Sequence, residues 1–377
     1  MKKIKLLFFV AEDWYFCSHR LQLAIAVREA GYDVGVVTQV NRHGDTIRQA
    51  GLRLIPFRLS RSGINLFVEF WTLARLIALF RREKPNIVHL VAMKPVLYGT
   101  LAAHIAGVPK IVTALAGLGY VFTSEQAKAR ILRPIISKVM RVLLGRPGSC
   151  LILQNEDDRA TFIREGYMDE KRIALIKGSG VDTAIFLPVP EPEGIPVIVL
   201  ASRMLWDKGI KEFVDAAEIL KNRGVEARFV LAGDSDPHNP SAIPPTQLQD
   251  WCNRGMVEWW GYIENMSKAL MEAHIVCLPS YYGEGVPKVL IESASCGRPI
   301  VTTDAPGCRE IVRHGVNGLL VPLRDSQAIA GALEKLILDA KLRQSMGQRG
   351  REIVLAEFSL EKVVSATLTL YKKLIAL

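Results

Sequence analysis

Ile275-Val276-Cys277-Leu278-Pro279-Ser280-Tyr281-Tyr282-Gly283-Glu284-Gly285-Val286-Pro287-Lys288-Val289-Leu290-Ile291-Glu292 is the stretch on which the reading of this chain turns. Its four leading apolar residues read as a buried strand. Gly283 and Gly285 permit a tight loop and close backbone approach. Pro287 suits a first helical turn, and Val289-Leu290-Ile291 carries the helix on. In open α/β sheets ligands bind outside the carboxyl ends of the strands, so the loop's polar groups are candidates for chemistry. Glu284 lies at the helix mouth and Glu292 farther inside the helix. A carboxylate can accept two hydrogen bonds from a vicinal diol such as a ribose or sugar ring. The backbone N–H groups of Gly285 and Val286 can face phosphate or sugar oxygens. For Glu292 the alternative is a helix carboxylate paired with a neighbouring Arg or Lys.

Outward from this stretch the same unit recurs. In the first half, Lys5–Val10, Asp33–Thr38, Ile87–Val91, Lys110–Thr113 and Cys150–Leu153 read as short strands separated by helical stretches, among them His19–Gly31. The pattern restarts after the proline-rich joint Pro188-Val189-Pro190-Glu191-Pro192, with strands at Ile195–Leu200, Ala227–Leu231, Ile275–Leu278 and Pro299–Thr302. Alternation of this kind means a parallel sheet with helices on both faces. The fold class is α/β, with two doubly wound domains, 1–182 and 183–377. The last helical stretch, Leu360–Leu377, is apolar on one face, and periodicity leaves open whether it caps the second domain or crosses back to the first.

Composition narrows the function classes. The 377 residues are 49% apolar and 23% charged, a globular balance that excludes a wholly disordered chain. No run approaches the roughly 18 uncharged apolar residues of a spanning helix. Lys2, Lys3 and Lys5 precede an apolar run too short and too soon charged for a signal peptide. The six cysteines show no C-x-x-C spacing and the seven histidines no ligand spacing, so a reduced chain without a metal is expected. Residues 1–182 carry 27 Lys and Arg against 15 Asp and Glu, whereas residues 183–377 carry 21 against 23. An anionic, extended partner is expected for the first half.

A second candidate follows the strand at 195–200: Ser202-Arg203-Met204-Leu205-Trp206-Asp207-Lys208-Gly209 opens a helix. Two cations beside a helix N-terminus make an anion site; two solvated surface cations are the alternative. Asp234-Ser235-Asp236 has a metal-binding D-x-D spacing but reads as a loop after a strand. Gly117-x-Gly119 lacks the third glycine and acidic partner of a dinucleotide fingerprint.

Glu284 and Glu292 stand eight apart, and with this spacing the chain resembles family 4 of the retaining glycosyltransferases of GT-B fold, over nearly its whole length. Arg203 and Lys208 match the family's Arg-x4-Lys, Gly178-Ser179-Gly180-Val181-Asp182 its G-x-G-V-D, and Pro306–Val312 with Asn317–Val321 its glycine-rich turn. Ser18-His19-Arg20, Lys94-Pro95 and Gly117–Phe122 look like bacterial enzymes that extend polyprenyl-diphosphate-linked saccharides. The resemblance implies two Rossmann-like domains facing across a cleft, the first binding acceptor and the second a nucleotide-sugar donor. It implies that Glu292 holds the donor ribose and Glu284 the sugar hydroxyls, and that Arg203 and Lys208 neutralise the departing diphosphate without a metal. It puts Tyr262 and Ile263, after Gly261 at a strand end, beside the nucleobase. On the acceptor side it points to His19, Lys94 and Gly119; a capping or partly buried role is the alternative for His19. Two departures stand out: Ala11–His19 holds no glycine where many members have a pair, and Ala114–Gly119 holds no histidine.

No second carboxylate is placed as a nucleophile, so front-face transfer with an α-linked product is expected from orientation and charge stabilisation. The partners expected are a nucleotide-diphosphate sugar, UDP-linked, carrying a hexose or N-acetylhexosamine, and a polyprenyl-diphosphate-linked saccharide. No cofactor is expected. Residues 126–155 contain no acid, and Ile135, Ile136, Val139, Met140 and Leu143 share a helix face opposite Ser137, Lys138 and Arg141. A basic amphipathic helix reads as an anionic membrane-surface element, with an ordinary packed helix as the alternative. Ile64–Phe80 adds a second apolar face. The chain is expected in the cytoplasm, peripheral on the inner face of the plasma membrane. No nucleic-acid motif is found. A non-catalytic nucleotide-sugar-binding scaffold is the alternative function.

Overall fold

The computed structural model describes residues 3–59, 66–117, 127–237, 239–281 and 283–376. The chain divides into two compact units. One comprises residues 1–180 with 360–377, the other residues 181–359. The first holds a seven-stranded sheet of β1 (Lys5–Glu12), β2 (Asp33–Gln39), β3 (Arg53–Pro56), β4 (Ile87–Val91), β5 (Lys110–Ala114), β6 (Ser149–Leu153) and β7 (Ile173–Leu175). Its order is β3-β2-β1-β4-β5-β6-β7, with every ladder parallel. The second holds β8 (Val197–Ala201), β9 (Arg228–Ala232), β10 (Glu258–Gly261), β11 (Ile275–Leu278), β12 (Ile300–Thr303) and β13 (Gly318–Val321). Its order is β10-β9-β8-β11-β12-β13, again wholly parallel. Each is a doubly wound, Rossmann-like α/β layer structure, as expected.

The apolar runs mark all nine interior strands, because a strand covered on both faces reads as continuous Val, Ile and Leu. Of the four edge strands they mark only the end of β10 at Gly261. β3 and β7 are short and half-exposed. β13 begins at Gly318, where a Cβ would meet the Ile300 carbonyl oxygen at 2.2 Å, so the residue that looks like a turn is a close packing contact.

Two helical expectations change. The helix expected over 19–31 runs Leu21–Glu29, and a separate helix, Asp13–His19, precedes it, the two parted at Arg20, which is buried with φ −130°. In the helix Ala127–Leu144 the face differs from its periodicity. Met140 and Leu144 lie in the first unit's core, and Leu143 is buried. Ser137 is buried through a 2.8 Å hydrogen bond with the Tyr167 hydroxyl, whereas Val139 and Val142 are 41% and 56% exposed. The apolar face assigned to a membrane is therefore largely spent on the protein core. Lys138 is exposed, and Arg141 donates to the Glu165 carbonyl at 2.8 Å and lies over the Tyr167 ring. The side chains of residues 127–133 and 135, and Ile64, lie outside the description. Among the described residues no helix is long and apolar enough to cross a membrane.

The last helix, Leu360–Ala376, belongs to the first unit. Val363, Tyr371 and Leu374 pack with Leu6, Phe8, Leu23 and Val27, and the Tyr371 hydroxyl meets Nδ1 of the buried His89.

Candidate functional site

In the second sheet the strand order reverses between β8 and β11. β8 leads outward to β9 and β11 to β12, and such a switch point, at the strands' carboxyl ends, is where doubly wound sheets bind ligands. Lys208 comes from the loop after β8 and Glu284 from the loop after β11, and they meet there as an ion pair, Lys208 Nζ on Glu284 Oε1. Ser280 donates to the same oxygen at 3.0 Å. Both charged side chains are mostly buried.

Backbone contacts hold the loops in register. Tyr281 N–H donates to the Asp207 carbonyl at 3.1 Å, and the Ser280 hydroxyl reaches the same carbonyl at 3.3 Å. Gly209, at φ +74°, passes so close to β11's exit that a Cβ would lie 2.1 Å from the Pro279 carbonyl oxygen. Gly307, at φ +81°, does the same beneath Glu284: its Cβ would lie 1.8 Å from the Gly285 carbonyl oxygen. Two glycines thus let three loops converge where any side chain would part them. The Cys308 thiol beside them is pushed up to about 12 by burial, with Glu284 adding to it.

Glu292 is 5% exposed, in the helix Lys288–Ser295. Burial raises its pKa, and the ammonium of Lys288, one turn earlier, opposes that by pairing with it. The helix pairing open in the sequence is therefore present. Lys288 also lies 5.8 Å from the Phe186 ring centroid. Gly285 and Val286 are buried just ahead of this helix.

Arg203 is placed differently from Lys208. Its guanidinium bonds the Asp236 carboxylate at 2.9 Å, so the structure pairs it with the D-x-D loop rather than with Glu284. That loop follows β9 as expected, and among the described residues no three His, Cys, Asp or Glu side chains cluster as a metal site. Tyr262 is exposed and Ile263 half-buried just past β10.

The acceptor-side candidates lie in the first unit. His19 ends the helix Asp13–His19, its ring stacked 4.2 Å from that of Tyr15 and its Nδ1 3.3 Å from the Tyr15 carbonyl oxygen. Lys94 pairs with Glu69 at 2.8 Å and lies over the Tyr98 ring, whose hydroxyl is pushed up to about 12 by burial and by Glu69. Gly119 lies outside the described residues. Sequence reading missed Ser280, named Asp236 only as part of a D-x-D spacing, and left the Glu292 partner as an unspecified neighbouring Arg or Lys. Only the Lys288–Glu292 spacing of four carried a signal.

Residues 195–339 match the family model described as "Glycosyl transferases group 1", and residues 5–144 the model described as "Glycosyl transferase 4-like". A Campylobacter jejuni relative, N,N'-diacetylbacillosaminyl-diphospho-undecaprenol alpha-1,3-N-acetylgalactosaminyltransferase, is 27% identical over 94% of this chain and 95% of its own. An Escherichia coli relative, UDP-Gal:alpha-D-GlcNAc-diphosphoundecaprenol alpha-1,3-galactosyltransferase, is 26% identical over 82% of this chain and 80% of its own. Sucrose-phosphate synthase from Thermosynechococcus elongatus superposes with a TM-score of 0.81 at 21% identity, covering 99% of this chain and 100% of its own.

Proposed function

For a chain that belongs to the family 4 glycosyltransferases of GT-B fold, we propose metal-independent, retaining transfer of a hexose or N-acetylhexosamine from a nucleotide-diphosphate sugar, UDP-linked, onto a polyprenyl-diphosphate-linked saccharide. The observation that carries this reading is the Lys208–Glu284 pair at the switch point of the second sheet. A donor offers both partners something better than each other: sugar hydroxyls donate to the carboxylate, and diphosphate oxygens accept from the ammonium. Glu292, buried behind the loop, takes the ribose hydroxyls. Arg203 exchanges Asp236 for the diphosphate, and Tyr262 and Ile263 border the base.

Transfer then proceeds on one face of the sugar. The glycosidic C–O bond breaks with its electron pair passing to the phosphate oxygen. The acceptor oxygen bonds the anomeric carbon from the same side, and its proton goes to that phosphate oxygen. Lys208 and Arg203, turned onto the diphosphate by donor binding, stabilise the charge that builds on the leaving group. The names of the two curated relatives, both acting on saccharides carried by diphospho-undecaprenol, support the acceptor class. The reading places the protein peripherally, on the inner face of the membrane that carries the acceptor. The exposed Phe67, Phe70 and Trp71 of the helix Leu66–Glu83 support contact with that membrane.

The test is a panel of UDP- and GDP-sugars against polyprenyl-diphosphate saccharides in the presence of EDTA, with Glu284→Ala as control. An α-linked product formed undiminished in EDTA is expected. A β-linkage by anomeric NMR, or transfer abolished by the chelator, overturns the mechanism. Donor binding without turnover on any acceptor overturns the reaction.

A further inference from the structure

Beyond the carboxyl ends of β2 and β3, at the edge of the first sheet, lies a cleft of about 570 Å³. Gln39, Asn41, Phe57, Arg58 and Arg75 line it. Its charge is one-sided: no carboxylate lines it, and among the described residues neither guanidinium has an ion-pair partner. The acids that touch Asn41 are already engaged. Glu12 accepts from the Asn41 side-chain amide at 2.8 Å, and the buried Asp13 accepts from the backbone N–H groups of Asn41 and His43. Arg75 is held 5.3 Å over the ring centroid of the buried Phe57, which aims its fork without neutralising it.

The neighbouring surface is of the opposite character. Phe67, Trp71 and Arg75 follow one another at four-residue intervals on the helix Leu66–Glu83, so they share a face, spaced about 6 Å apart along the axis. Phe67, Phe70 and Trp71 are 82%, 70% and 66% exposed. Large aromatic groups in water next to two guanidiniums without carboxylate partners call for one ligand with both chemistries: a compact polyanion attached to a hydrocarbon chain.

We propose that this cleft binds the diphosphate of the lipid-linked acceptor, with Arg58 and Arg75 bonding its oxygens and the isoprenoid chain lying along Trp71 and Phe67. The ligand's identity rests on the acceptor class proposed above. Arginine forks match phosphate oxygens bidentately, and water-exposed aromatics gain from covering by hydrocarbon.

The test is equilibrium binding of farnesyl diphosphate to the full chain without donor, beside inorganic pyrophosphate and flotation on phosphatidylglycerol vesicles. The Arg58→Gln/Arg75→Gln variant is expected to bind farnesyl diphosphate at least about tenfold more weakly with an unchanged thermal midpoint. The Arg58→Lys/Arg75→Lys variant should recover part of the loss, and Arg48→Gln, an exposed arginine of the same unit, should lose nothing. Trp71→Ser should weaken farnesyl diphosphate but not pyrophosphate. Equal binding by wild type and the Gln variant, or none by wild type, overturns the site. So does an effect of the arginines on vesicles alone, which would assign them to phospholipid headgroups. Because no turnover is read, a chain that binds here yet transfers no sugar refutes the proposed reaction and leaves this site standing.

Discussion

At the switch point of the second sheet, between β8 and β11, a lysine from one loop meets a glutamate from the other. At the switch point of the first sheet, between β1 and β4, the acid is Asp13, fully buried, and its oxygens accept from the backbone N–H groups of Trp14, Asn41 and His43 at 2.7–2.9 Å. The topology is the same and the carboxylate is used differently. Asp13 is consumed in holding a loop, and a ligand could take it only by undoing that loop. Glu284 faces the Lys208 ammonium, and a ligand carrying both a diol and a diphosphate can replace each partner for the other. A further sign of constraint in the first sheet is Ala92, directly after β4, at φ +76°, a conformation costly for a residue with a Cβ.

The comparison is sharpest where stability and activity separate. Lys208→Met or Glu284→Gln is expected to lower kcat by about 10²–10³, the range for a lost transition-state electrostatic contact. The double variant should cost little more than the worse single one and melt near wild type, since the two act as a unit. Additive losses would break the pair into independent roles. Asp13→Ala should do the reverse. It leaves three N–H donors without their carboxylate and is expected to cost about 3 kcal/mol or more in urea unfolding. A fully stable Asp13→Ala chain would show that the first switch point is not built around that carboxylate.

A smaller effect is expected from the His89–Tyr371 contact that seats the last helix. Burial, with Arg20 nearby, holds His89 well below the usual histidine range in the folded chain. Below about pH 6.5 the unfolded chain takes up a proton that the folded chain refuses. The stability is therefore present above that pH and lost as pH falls, by up to about 1.4 kcal/mol per pH unit for one proton. Urea midpoints between pH 7.5 and 5.5 should drop in wild type and drop less in His89→Gln. Equal slopes would remove His89 from the acid response. The smallest effect belongs to Asp236→Asn, which breaks a half-exposed pair with Arg203: less than about 1 kcal/mol of stability. Its donor KM should fall rather than rise, because the arginine no longer has to leave a carboxylate. A raised KM would make Asp236 part of the donor grip.

The sequence by itself determined the two parallel sheets, through nine apolar runs, and singled out Glu284 and Glu292 as candidates, through their loop-and-helix setting and the family motif that contains them. Those signals are local: burial on both faces of a strand writes itself into consecutive residues, and a loop between glycines stays together in the chain. Tertiary structure alone decided the half-exposed edge strands, the unit to which the last helix belongs, and the partners of each charge. Arg203 and Lys208 stand five apart and read as equals, yet one bonds Asp236 and the other Glu284. The helix Ala127–Leu144 shows the same limit, since periodicity supplies an apolar stripe but not its edges. Tyr167, far along the chain, drew Ser137 inward, and Val139 was left in water. Pair energies and burial depend on what lies across space, and no spacing along the chain encodes that.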